Sequence, residues 1–125
     1  MHYIEQSNKS VDEVVNAIKE KAPSYKFGVL HVHEIDNTLK SKGLEFTKEC
    51  KVLDVCNPGF AKKLLDEDMS FSVILPCKIA VYSQDGDTII GMNSIVQLID
   101  DVNPDMIETA QEIQDILLKL ISDVK

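Results

Sequence analysis

Two cysteines and two histidines are the residues whose types and spacing could do chemistry. Cys56 stands directly ahead of Asn57-Pro58, a pair that reads as a helix start. A helix N-terminus carries partial positive charge and favours a thiolate. Cys77 follows Pro76, where an extended run must bend and side chains are re-aimed. The two could form a thiol-redox pair, with Cys56 as the activated thiolate and Cys77 as its partner. A bridge would need Cα atoms within about 7 Å. The plainer reading makes both cysteines small core hydrophobes. Cys50 would share a strand face with Cys56 but lie roughly 20 Å away along it, too far for a common metal or a disulfide. Cys50 therefore reads as structural.

His31 and His33 are spaced i, i+2, which puts both rings on one face of a strand, roughly 6–7 Å apart. That suits two imidazoles on one metal, and equally two half-exposed histidines on a sheet surface. A site joining His31 or His33 to Cys56 and Cys77 would suit zinc or copper by ligand type. Strand order decides whether these residues meet. The chain has no P-loop, GxGxxG, GxSxG or HExxH pattern. No catalytic residue is assigned, and the balance leans away from an enzyme.

Composition narrows the partners. The chain has 125 residues, which fits a single domain over 1–125. Its net charge is −8, and all 13 basic residues are lysine. Without arginine, the usual bidentate reader of phosphate and guanine, an acidic chain is a poor binder of nucleic acid or of an anionic membrane. Three cysteines, no export signal and no apolar run of membrane-spanning length point to reduced thiols and a cytoplasmic protein. Trp is absent and aromatics are 6%, so Ile, Leu and Val must build the core.

The elements that would position these residues follow from pattern. Residues 2–6 read as a short strand. Ser10 and Glu13 form a capping box ahead of Val11, Val14, Val15 and Ile18 at helical spacing. Residues 27–35 read as a strand, and Asp36 as the cap of a short helix stopped at Gly43. Residues 50–56 are a further strand. The helix from Asn57-Pro58 would bury Ala61, Leu64, Leu65 and Met69. Residues 71–82 read as one long strand interrupted at Pro76. A tight turn at 84–87 returns residues 88–92 antiparallel, and a helical turn follows at 95–99. Asn103-Pro104 opens the last helix, about 104–124. Its apolar stripe is widened by Ile107, Ile116 and Leu118, which fits either deep packing on the sheet or a subunit contact. The order predicts an α+β fold, with helices on a mixed or mostly antiparallel sheet.

Three pieces look familiar in order and spacing: FGVL at 27–30, VLDVCNPGFA at 52–61 and VILPCKIAVY at 73–82. The region of about 27–94 resembles the domain of unknown function 302 family, and the C-terminal helix fits it. The resemblance implies a two-layer α/β sandwich and a dimer, and it implies no activity. Three functions stay open. The first is a non-enzymatic module, homodimeric, binding a small ligand, a metal or a protein partner. The second is thiol chemistry at Cys56. The third is a structural or interaction role.

Overall fold

Along residues 50–56 burial alternates from one residue to the next, the period of a strand covered on one face. In the computed structural model, which describes residues 2–125, strand β3 (Cys50–Cys56) buries Lys51, Leu53 and Val55 and leaves the residues between them half-exposed. Four more strands join it: β1 (His2–Ser7), β2 (Gly28–Glu34), β4 (Cys77–Gln84) and β5 (Asp87–Asn93). The sheet order is β1-β5-β4-β3-β2 and every pairing is antiparallel. Leu53 lies opposite Ile79, Val55 opposite Cys77, and Val81 opposite Ile90. This parity faces the helices. The other parity pairs Asp54 with Lys78, Val52 with Ala80, and Ala80 with Gly91.

The helices are α1 (Val11–Lys21), α2 (Ile35–Ser41), α3 (Pro58–Glu67), α4 (Ile95–Val102) and α5 (Ile107–Val124). The capping box of α1 is present as read, with Ser10 Oγ accepting from Glu13 N–H and Glu13 accepting from Ser10 N–H. Val11, Val14, Val15 and Ile18 are buried. At the β4–β5 hairpin, Asp85 and Gly86 take φ of 52° and 86°. Two positive φ values in a two-residue loop match the twist of the flanking strands. No helix among the described residues is long and apolar enough to cross a membrane.

Four expectations change in detail. Residues 69–73 are a 3-10 turn, and β4 starts only at Cys77. Asp68 causes this, because its carboxylate accepts from Ser70 N–H at 2.9 Å and sets the turn. The turn buries Phe71 completely and leaves Met69 exposed, so Met69 is no part of the α3 stripe. The Leu75–Pro76 bond that follows is cis. Residues 95–99 belong to a full helix, α4, capped by Ser94. The last helix is preceded by a 3-10 turn at Pro104–Met106. The central stripe of α5 packs within the chain, with Ala110, Ile113, Leu117, Leu120, Ile121 and Val124 buried in the core, while the residues that widen it are less covered: Ile116 and Leu118 are half-buried and Ile107 is exposed. Gln114, also buried, joins three elements. Its Oε1 accepts from Ser94 Oγ and Val96 N–H, and its Nε2 donates to Tyr3 Oη.

Asp36 does not cap α2. It lies inside that helix, buried, where it accepts from Lys51 Nζ at 2.9 Å and from Cys50 N–H at 3.1 Å. Burial pushes its carboxyl up, but these bonds and the Asn37 N–H outweigh burial and hold it below the usual range. An unfolded Asp titrates at about 3.9. The stabilisation is therefore complete above that value and is lost as pH falls through the lower folded one. Removing one partner of such a pair costs about 3–5 kcal/mol. Urea denaturation should show Asp36→Ala destabilised by about that amount at pH 7. The gap to the parent should close between pH 5 and pH 2. A gap that stays constant with pH would contradict the ion-pair assignment.

Candidate functional site

The clearest recess lies where the 3-10 turn, the start of β4 and helix α4 meet. Phe71 anchors the turn from inside, which leaves Val73 facing outward at 78% exposure. Ser94 fixes the start of α4: its Oγ accepts from Gln97 N–H and donates to Gln114 Oε1. The space between these elements is an open cavity of about 210 Å3. Its walls are apolar, formed by Val73, Ile74, Leu75, Cys77, Ile95 and Leu98, with Lys78 and Asn93 also lining it. Lys78 and Asn93 also line a second, shallower hollow of about 290 Å3 on the sheet face away from the core. Ala80 and Gly91 sit opposite each other there, between Val52, Tyr82 and Ile4. Gly91 matters to this surface, because an added Cβ would stand 3.2 Å from Ile4 Cδ1. Among the described residues, Lys78 is the one Lys, Asp or Glu in either lining.

Lys78 is held by Asp54, its partner across β3–β4. Its Nζ donates to Asp54 Oδ1 at 2.6 Å, and His33 Nε2 lies 2.7 Å from Asp54 Oδ2. Burial pushes the Asp54 carboxyl up, but Lys78 and His33 together hold it below the usual range. A register shift between Val29 and His31 brings His31 opposite Asp54. The His31 and His33 rings then meet edge to face, with centroids 4.4 Å apart. The expected shared face for the two histidines is therefore real. Their environment is a polar cluster of His31, His33, Asp54 and Lys78.

The two cysteines of interest do meet. Cys56 ends β3, Cys77 begins β4, and both line a small cavity of about 10 Å3 between α3 and α5. That is room for one water at most. Asn57 caps α3 as read from the sequence: its Oδ1 accepts from Phe60 N–H, and its Nδ2 donates to the Lys26 carbonyl. Burial pushes the Cys56 thiol up, which opposes the pull of the helix start toward a thiolate. Burial and the neighbouring Cys56 push the Cys77 thiol to about 11. Cys50 is also raised, by burial and by Asp36. The four-residue metal set of His31, His33, Cys56 and Cys77 is not assembled. Among the described residues no group of three or more His, Cys, Asp or Glu is placed to hold a metal ion. The histidines are engaged with each other and Asp54, while the cysteines are packed against Phe60, Leu64 and Ile113.

The sequence reading missed Lys78, Asp54 and Asn93. Asp54 and Lys78 carry opposite charges on neighbouring strands, but that signal appears only once the β3–β4 register is known.

Thiol reactivity tests the cysteine geometry. At pH 8 a thiol titrating at about 11 holds roughly 200-fold less thiolate than one at about 8.5. In a Cys50→Ser/Cys56→Ser variant, Cys77 should react with a disulfide reagent at least a hundredfold more slowly in the native state than in guanidinium. Equal rates would contradict its placement.

Comparison with known proteins gives a family and no activity. A family profile described as "Domain of unknown function DUF302" matches residues 3–124. The crystal structure of an uncharacterized conserved DUF302 protein from Bacillus stearothermophilus superposes with a TM-score of 0.94 at 31% identity, covering 99% of this chain and 98% of that one. No curated protein matches. With the profile and the superposition both spanning nearly the whole chain, the protein belongs to the DUF302 family, a family of unknown function.

Proposed function

We propose that this protein is a non-enzymatic module that binds a small amphipathic molecule in the cavity beside Lys78. The observation that carries this reading is the cavity itself: about 210 Å3 of apolar recess whose lining also includes Lys78 and Asn93. Ligand sites combine apolar walls with a few polar groups that fix orientation. Here the walls come from three separate elements, so the recess is a product of the fold rather than of one loop. Val73 supports the reading too. A valine left 78% exposed beside a recess is apolar surface that a ligand would cover.

A thiol-redox role is the second reading, supported by the shared cavity of Cys56 and Cys77. The raised thiols weigh against it, since the thiolate is the reactive species. A metal role for His31 and His33 would need ligands from outside the described cluster. A homodimer remains part of the proposal, and the exposed Ile107 with the half-buried Ile116 and Leu118 leaves apolar surface on α5 for such a contact.

Methyl NMR with benzyl alcohol, a small neutral amphipath, tests the cavity. Saturable shifts should gather on Val73, Ile74, Leu75, Ile95 and Leu98, with a dissociation constant on the order of millimolar for so small a ligand. Shifts scattered evenly over the surface, or none, would remove the binding reading. Native mass spectrometry of untagged protein reads the subunit number separately, and a monomer at tens of micromolar would remove the dimer.

A further inference from the structure

We propose that the ligand of this cavity is a small monocarboxylate with an apolar body, and that Lys78 takes its carboxylate by giving up Asp54. This rests on the binding reading above and adds the chemical class.

The argument starts from charge. Among the described residues, Lys78 is the only Lys, Asp or Glu lining the cavity, and its formal charge is positive. Its stem rises from β4 beside Cys77, and its side chain is 58% exposed, so the ammonium can turn on a flexible four-carbon chain. Its present partner, Asp54, is only 13% exposed and keeps a second donor, His33 Nε2 at 2.7 Å. Asp54 therefore stays hydrogen-bonded when Lys78 leaves it. An ordinary ion pair would strand a buried carboxylate on exchange, and this one does not. Asn93 adds an amide donor to the same lining.

The number of charges selects the anion. One ammonium matches one monoanion. A phosphate ester carries more charge and more acceptors than a single lysine and an amide can satisfy, and the chain contains no arginine to help. A cationic ligand finds no acid in the lining. The acidic surface elsewhere opposes anions only weakly, because charges beyond about 8 Å are screened at physiological salt.

The volume selects the body. An apolar cavity of about 150 Å3 takes benzene. By that measure 210 Å3 takes a body of about eight carbons, straight or aromatic. Such a body would lie among Val73, Leu75, Ile95 and Leu98, with the carboxylate toward Lys78 and Asn93.

The test compares octanoate with its neutral counterpart octanamide on the full chain, read by methyl and amide NMR. Octanoate should bind at least tenfold more tightly, with shifts at the cavity methyls and at His33, whose partner Asp54 has lost Lys78. Lys78→Met should bring octanoate down to the octanamide level. Asp54→Asn should strengthen octanoate several-fold, because Lys78 no longer has a competing partner. Val73→Glu and Val73→Lys, at an exposed site that does not threaten the fold, both remove apolar wall, and Val73→Glu should weaken octanoate about tenfold more than Val73→Lys. If octanoate and octanamide bind equally well in the cavity, the carboxylate inference is overturned and the binding reading stands. If neither moves the cavity methyls, both fall.

Discussion

The period-two alternation of β3 and β4 is the constraint on which the rest of the structure depends. Leu53, Val55, Ile79, Val81 and Ile90 occupy one parity and are fully buried beneath helices. That commitment leaves Asp54, Lys78 and Ala80 at least partly exposed on the other parity, with Gly91 beside them beneath Ile4. A slip of one residue in β3 or β4 would place Asp54 and Lys78 in the core and Leu53 and Ile79 outside. The register is therefore fixed by burial, and the Asp54–Lys78 pair is a consequence of it. The same register sets Cys77 inward, against Val55, and so decides that its thiol is packed rather than presented.

Polar groups inside the molecule secure elements that burial alone would leave free to slide. Asp36 ties α2 to β3 through Lys51 and the Cys50 N–H. Gln114 ties α5 to the start of α4 and to Tyr3 on β1. The described buried side-chain N and O atoms all find a partner. The start of α4, which carries the cavity-lining Ile95 and Leu98, is thereby tied to α5 and β1.

Much of the fold was legible in the sequence, because caps and periodicity act locally. Ser10 with Glu13, Asn57 with Pro58, and the turn around Gly86 each specify structure within a few residues. The run 71–82 was not legible as built. A short apolar run looks the same whether it is strand or turn, and the deciding residue, Asp68, lies outside the run and accepts from Ser70 N–H to set the turn. Asp36 misled for a related reason: an acid at a helix start reads as a cap, and only the tertiary position of Lys51 reveals an ion pair. The candidate site was the least legible part. Its walls come from a turn, a strand and a helix separated by up to 25 positions, from Val73 to Leu98. The cysteines and histidines that drew attention by type turned out to be packed, or engaged with one another and with Asp54.

The most direct test of the Lys78 cavity as a ligand site is a crystal structure grown with 8-bromooctanoate, whose bromine marks the apolar end by anomalous scattering. The bromine should lie among Leu75, Ile95 and Leu98, with the carboxylate within hydrogen-bond reach of Lys78 and the lysine turned away from Asp54. An empty cavity, with Lys78 still on Asp54 at saturating ligand, would contradict it.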